Sequence, residues 1–215
     1  MSSILFDDYD DEDARDQVFV GKKAPNFTAK AIMPDNSIEF DFDLEEYAKG
    51  SKVVLVFYPL DFTFVCPSEM IAFNNRLGEF SERGAKVVTV SVDSHFSHLA
   101  WKNTPHSKGG IDNVQFPMVS DLTKEISVAY NVLNDDTVSL RGTFIMDQDF
   151  VVRHMLVNDL PIGRNVDEAL RILDAIDFNR ENGQVCPAGW NKGSEAMEAT
   201  TEGVSDYLTS NAHKL

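Results

Sequence analysis

Apolar and polar positions along this chain alternate with two different periods, and the changes of period mark out its elements. Residues 53–58 (VVLVFY) run apolar and β-branched without interruption, the pattern of a strand covered on both faces. After Pro59 and a short loop holding two aromatics, apolar residues recur at positions 70, 71, 73, 77 and 80. That spacing is one helical face, so a helix is predicted over residues 67–83 with Pro67 at its first position, where a missing N–H costs nothing. Residues 86–92 (KVVTVSV) then read as a second buried strand after Gly84. Strand, helix and strand of this kind make a βαβ unit and point to an α/β protein.

Upstream, residues 27–33 and 38–42 pair as a lead-in hairpin about Pro34, Asp35 and Asn36, and Asp43 opens a short helix that Gly50 stops. Downstream, residues 94–104 are helical in outline, with Ser94 or Ser97 as cap, Phe96, Leu99 and Ala100 as the apolar set, and Pro105 as the stop. A polar loop over 105–115 leads to a short strand ending at Asp121 and a short helix over 123–130. Residues 143–146 and 151–155 form a hairpin. Residues 165–178 make a strong helix, capped by Asn165, with Val166, Leu170, Leu173 and either Ile172 or Ile176 on its apolar face. Beyond Phe178 the periodicity gives way to Gly and polar residues around an isolated Trp190, an arm with short helices at 194–199 and 201–208. The chain thus divides into an acidic N-terminal arm (1–19), an α/β domain (20–178) and a C-terminal arm (179–215).

At 215 residues, 43% apolar and 25% charged, the composition is that of an ordinary globular protein with one substantial core. No apolar run reaches the length of a spanning helix, and the first residues lack the basic and apolar regions of a secretory signal. A cytoplasmic location and no membrane partner are therefore expected. The net charge of −16 argues against nucleic acid as a partner, since a phosphate backbone needs clustered Lys and Arg. Much of the excess sits at Asp7, Asp8, Asp10, Asp11, Glu12 and Asp13, read as a solvated, mobile arm.

Two cysteines, Cys66 and Cys186, lie far apart and outside any C-x-x-C pair, which favours a transient disulfide over a structural one in a reducing compartment. Cys66 falls at the predicted helix start, where free N–H groups and the dipole stabilise a thiolate. An ordinary thiol with a pKa of about 8.5 is only about 3% ionised at pH 7, so a nucleophilic cysteine needs several kcal/mol of help. A helix end supplies less than half of that, and the apolar Phe62, Phe64 and Val65 oppose it by desolvation. A cation must come from elsewhere in the fold, and Arg141, in SLRGTFI at the mouth of a strand, is the best placed. Thr63, three residues before Cys66, is positioned to set a hydroxyl beside the sulfur.

Taken singly, these residues have plainer readings. An unpaired cysteine is most often a small buried apolar residue, Arg141 reads as an ion pair, and Glu69 in the first helical turn is half explained by the dipole. The five histidines include no H-x-x-x-H or H-E-x-x-H pattern, with His95 and His98 the nearest to a ligand pair, so no metal is expected. Gly109 and Gly110 follow a helix and not a strand, so no dinucleotide or other cofactor is expected either.

At PLDFTFVCPSE, however, Pro59-x-x-x-Thr63-x-x-Cys66 resembles the peroxidatic signature of peroxiredoxins. SHLAWKNTP from 97, LRGTFIMD from 140, NDLPIGRNVDEALR from 158 and QVCPAGWNKGS from 184 resemble, in order and spacing, the typical two-cysteine members of the alkyl hydroperoxide reductase type. The resemblance implies a thioredoxin-like fold with a central mixed sheet flanked by helices, an N-terminal hairpin and a C-terminal arm. It implies a peroxidase acting on hydrogen peroxide and alkyl hydroperoxides. Cys66 is then the peroxidatic cysteine, Cys186 the resolving cysteine of a partner subunit, and Thr63 and Arg141 the activating groups. Pro59 shields the site, and Glu69 with Arg164 orients the arginine. A head-to-tail homodimer, often five dimers to a ring, is implied as the assembly. Because the chain has no C-x-x-C or flavin motif, the implied reductant is thioredoxin or a dedicated flavoprotein reductase.

A peroxide-gated holdase is the alternative reading, and a plain thiol-disulfide oxidoreductase is disfavoured by the missing C-x-x-C. Overoxidation-prone members carry Gly-Gly-Leu-Gly and a C-terminal Tyr-Phe. Here Gly109, Gly110, Ile111 and Asp112, and Tyr207 with Leu208, are partial matches, so intermediate or low sensitivity is expected.

Overall fold

The apolar run at 53–58 becomes β3 (Lys52–Phe57), in which every residue is buried. Its side chains alternate between two cores: Val54 and Val56, with Tyr58 just beyond, enter one, while Val53, Leu55 and Phe57 enter the other. This is why the run shows no polar alternation, since a strand covered on both faces has no solvent side. The computed structural model describes residues 18–215, so the acidic cluster at 7–13 and most of the N-terminal arm lie outside the described residues.

The chain begins with β1 (Thr28–Ile32), β2 (Ile38–Asp43) and α1 (Leu44–Ala48), and after β3 continues through α2 (Cys66–Asn75), α3 (Leu77–Glu82), β4 (Ala85–Ser91) and α4 (His95–Lys102). There follow β5 (Met118–Ser120), α5 (Glu125–Ala129), the small hairpin β6 (Leu133–Asn134) and β7 (Val138–Ser139), β8 (Arg141–Met146), β9 (Val152–Asn158), α6 (Val166–Asn182) and α7 (Thr201–Asn211). Seven strands form one mixed sheet in the order β2-β1-β5-β4-β3-β8-β9. β3 pairs parallel with β4 and antiparallel with β8, and the lead-in hairpin joins the sheet through an antiparallel β1–β5 pairing. Residues of α2, α3, α4 and α6 pack on the first core and residues of α1 and α5 on the second, giving a helix–sheet–helix sandwich. Asp43, Ser94 and Asn165 cap their helices as expected, each side chain accepting a backbone N–H of the first turn.

Five expectations need correction. The helix expected over 67–83 is broken at Arg76 (φ −109°, ψ 9°) into α2 and α3. Arg76 bonds Glu79 and reaches Asp167 of α6 at 2.7 Å, so its side chain ties the break to a neighbouring helix. In α4 the buried residues are His95, His98, Trp101 and Lys102, while Phe96 is 65% exposed and Leu99 and Ala100 are not buried. Polar residues win this face because each finds a partner: Lys102 Nζ donates to the carbonyls of Met33 and Pro34 at 2.7 and 2.9 Å, and Trp101 Nε1 to that of Gly109 at 3.0 Å. Residues 194–199 are not helical; Met197 instead makes an antiparallel bridge with Val185. Trp190 is not isolated but 2% exposed, with its ring 4.9 Å from that of Phe178. The expected helix at 165–178 runs on to Asn182, where Gly183 (φ 71°) ends it.

Candidate active site

β3 ends beneath a loop, residues 58–65, that delivers Cys66 as the first residue of α2. Val65 offers no side-chain cap, and the N–H groups of Ser68 and Glu69 donate to its carbonyl at 3.1 and 3.3 Å, so the helix start favours a negative sulfur through its dipole. Tyr58 and Pro59 are buried at the start of the loop. Phe62 takes a left-handed conformation (φ 54°), which costs a bulky side chain about 1–2 kcal/mol. Phe62 is 50% and Phe64 97% exposed, so these rings do not desolvate the thiol as expected; Cys66 is nevertheless fully buried.

The Cys66 Sγ lies 3.1 Å from Thr63 Oγ1 and 3.3 Å from Arg141 Nη1. Thr63 Oγ1 is also 2.8 Å from the Leu60 carbonyl. A hydroxyl has one proton, so it donates either to Leu60, while accepting from a thiol, or to a thiolate. Arg141 is 4% exposed and held three ways: Nε donates to the Leu160 carbonyl at 2.7 Å, and Nη1 reaches both Cys66 and Glu69 Oε2, the latter at 2.7 Å. Gly142 follows because a Cβ there would meet Val132 Cγ1 at 2.9 Å.

Glu69 accepts from a second guanidinium, with Arg164 Nε 2.8 Å from Oε1, Nη2 3.0 Å from Oε2 and the Arg164 backbone N–H 2.9 Å from Oε1. Arg164 Nη1 is anchored on the carbonyls of Phe57 and Gly142 at 2.7 and 2.8 Å. Glu69 is therefore the hub of a buried triad and not merely a dipole partner. Two guanidinium groups and one carboxylate leave one positive charge, which a thiolate at Cys66 balances. Thr63, Cys66, Glu69, Arg141 and Arg164 all converge here.

Cys186 stands apart. It is free and partly buried, with Sγ 3.8 Å from the Ala175 carbonyl of α6. Burial pushes its thiol up and the charge of Arg171 pulls it partly back. Arg171 donates to the Trp190 carbonyl at 2.9 Å and to Glu168 through Nε and Nη2 at 2.6 and 2.7 Å, holding the start of the arm on α6.

Sequence reasoning missed a buried polar group behind the loop, Tyr58, Asp61 and His98. An acidic residue between two apolar stretches, at Asp61, was the signal available. His95 and His98 do not converge on a common point as ligands: His98 faces Asp61, and His95 packs between Phe40 and Phe96. Among the described residues no cluster could hold a metal ion, and no helix is long and apolar enough to cross a membrane.

Comparison with known proteins gives concordant findings. Residues 20–155 match the AhpC/TSA family, and residues 175–210 match the C-terminal domain of 1-Cys peroxiredoxin. The chain is 50% identical over 198 residues to alkyl hydroperoxide reductase C of Helicobacter pylori, covering 92% of this chain and 100% of that protein. It is similar to the reduced 2-Cys peroxiredoxin of Plasmodium vivax at 51% identity and a TM-score of 0.87, covering 89% of this chain and 99% of that one. It is also similar to thioredoxin peroxidase I of Plasmodium yoelii, at 46% identity and a TM-score of 0.72, covering 81% and 100%. The sheet and its flanking helices are thus a thioredoxin-like fold.

Proposed function

The chain belongs to the AhpC/TSA family and is a peroxiredoxin, a thiol-dependent peroxidase, and from that premise we propose that Cys66 attacks the peroxide and Cys186 of a second copy regenerates it. The observation that carries this reading is the placement of the Cys66 sulfur within reach of both the Thr63 hydroxyl and the Arg141 guanidinium. The thiolate attacks the terminal peroxide oxygen; a sulfur–oxygen bond forms, the O–O bond breaks, and the alkoxide or hydroxide leaves and takes up a proton. Arg141 and Thr63 stabilise charge as it spreads over the two oxygens, and Cys66 becomes a sulfenic acid. Pro59 keeps water from the sulfur, and Glu69 with Arg164 fixes the angle of Arg141.

The Cys186 thiolate then attacks the Cys66 sulfur; a sulfur–sulfur bond forms, the sulfur–oxygen bond breaks, and the hydroxide that leaves takes up a proton to become water. With Cys66 buried at a helix start and Cys186 on the arm, this step needs the first turn of α2 to unwind and the arm of a partner to approach. The assembly that supplies the partner is a head-to-tail homodimer, five of which close a ring. A cytoplasmic dithiol protein restores both thiols. The name of the Plasmodium yoelii relative favours thioredoxin over a dedicated flavoprotein reductase, and that of the Helicobacter pylori relative favours alkyl hydroperoxides beside hydrogen peroxide as substrates. Residues 20–178 form the catalytic domain and 179–215 the arm.

Stopped-flow peroxide reduction with each candidate donor tests the reading, followed by electrophoresis without reductant. A disulfide-linked dimer that disappears in both Cys66→Ser and Cys186→Ser is expected. Only monomeric disulfide species would exclude the pairing between subunits.

A further inference from the structure

Behind the loop that carries Thr63 lies a buried polar group with no part in the chemistry above. The Tyr58 hydroxyl donates to Asp61 Oδ1 at 2.8 Å, and His98 Nδ1 lies 2.9 Å from Asp61 Oδ2. On the other side of the ring, His98 Nε2 lies 3.2 Å from the Val119 carbonyl of β5. The side chains of His98 and Asp61 are 0% and 1% exposed. The Asp61 backbone N–H donates to Asp93 Oδ2 at 2.8 Å, an oxygen that also accepts the Ser91 hydroxyl at 2.8 Å. The loop is thereby tied to β4, α4 and β5 at one residue.

The Val119 carbonyl can only accept, so Nε2 donates to it. On the other side of the ring Nδ1 meets both Asp61 oxygens, at 3.2 and 2.9 Å, and the Tyr58 hydroxyl at 3.2 Å, so Tyr58, Asp61 and His98 form one closed hydrogen-bonded group. The other titratable groups nearby are Asp93, pushed up by burial and by Asp61, and His95, pushed down by burial, Lys30 and His98.

We propose that His98, through its hydrogen bond to Asp61, is a positioning residue for the peroxide reaction, fixing residues 59–65 and through them Pro59 and Thr63 against Cys66. This rests on the reading of Cys66 as the attacking thiol. Asp61 stands midway between Pro59 and Thr63, so its anchor sets where both lie. The adjoining Phe62 is in the left-handed region and its ring sits 6.0 Å from Trp101 on the same helix as His98, a conformation that persists only where surrounding contacts hold it. An apolar pair of similar size would fill this space without burying polar groups; the hydrogen-bonded pair adds direction.

The test combines nitrogen NMR of labelled histidine, on the unmodified protein and on Asp61→Asn, with kinetics of His98→Gln and Asp61→Asn. Asp61→Asn is expected to shift the His98 Nδ1 resonance, because it replaces the carboxylate that this nitrogen faces. Each variant is expected to slow the second-order reaction with hydrogen peroxide about ten- to a hundredfold, the scale of a misplaced reacting group. The double variant is expected to be no slower than the slower single one, as for two members of one unit. Disulfide formation from preformed sulfenic acid should be unchanged. A His98 Nδ1 resonance unmoved by Asp61→Asn would overturn the proposal, as would variant rates within about twofold of wild type, or effects that multiply. Should His98→Gln not fold, Asp61→Asn and the spectrum decide. A Cys66→Ser variant that still consumed peroxide would remove the underlying reading, whereas an inactive Cys66→Ser beside fully active Asp61→Asn and His98→Gln would remove only the role of His98.

Discussion

The surroundings of the two cysteines differ in almost every respect. Cys66 is fully buried, touches a hydroxyl and a guanidinium, and sits on a helix whose first turn is braced by the Glu69 triad. Cys186 has one weak contact with a helix carbonyl, lies in a stretch without strand or helix of its own, and is held through neighbours such as Trp190 and Val185. Rigidity around the first thiol suits the proposed peroxide step, in which charge must be met at a fixed point. Loose attachment of the second suits the proposed resolving role, in which the thiol must travel, since leaving forfeits few interactions.

The strongest way to break this contrast is to exchange roles by deletion. Cys66→Ser is expected to lower peroxide consumption by at least about a thousandfold, whereas Cys186→Ser should keep the first turnover, seen as one equivalent of sulfenic acid, and lose the rest. Arg141→Gln should slow the peroxide step by about a hundred- to a thousandfold in stopped flow and leave disulfide formation alone. Glu69→Gln, by leaving two buried guanidinium groups without their shared counter-charge, should cost about 3 kcal/mol in denaturant unfolding.

On the Cys186 side the expected effects are smaller and depend on pH. Because burial raises this thiol, it is protonated at neutral pH and its thiolate fraction grows as pH rises. The rate of disulfide formation, followed by fluorescence of the adjoining Trp190, should climb towards about tenfold per pH unit below the folded pKa. Arg171→Met should move that climb to higher pH; a flat profile would show arm motion, not deprotonation, to be limiting. Leu208→Phe should raise the yield of Cys66 sulfinic acid several-fold by mass spectrometry, roughly 1 kcal/mol of added contact on the arm. Tyr207 is already buried and Leu208 is 43% exposed, so the second position is where the packing falls short. In the other partial motif, Gly110 leaves no room for a Cβ beside the Thr104 carbonyl, while Asp112 occupies the left-handed region (φ 54°).

The legible parts of this molecule are those fixed by local pattern or by a missing charge. The strand at 53–58, the helix start at Cys66 and the caps at Asp43 and Asn165 follow from periodicity and backbone needs. Arg141 follows from asking what could stabilise a thiolate that a helix end alone cannot. Pro59, Glu69 and Arg164 came from resemblance, because nothing local says that Glu69 will meet two guanidinium groups distant in sequence. The wrong face for α4 has the same cause: hydropathy favoured Phe96, but His98 and Lys102 had partners on the 59–65 loop and the β1–β2 turn that no window of sequence contains. Likewise 194–199 has helical composition, yet Met197 is drawn into a bridge with Val185.

The break at Arg76 carries a mechanical consequence. A perturbation that starts at Cys66 and runs up α2 reaches a residue whose N–H bonds to Phe73, three residues back, and whose side chain is moored to Asp167 on another helix. Regular i→i−4 bonding is interrupted there. The joint acts as a firebreak: if the first turn of α2 opens as the proposed disulfide step requires, the break at Arg76 gives that opening a stop before α3.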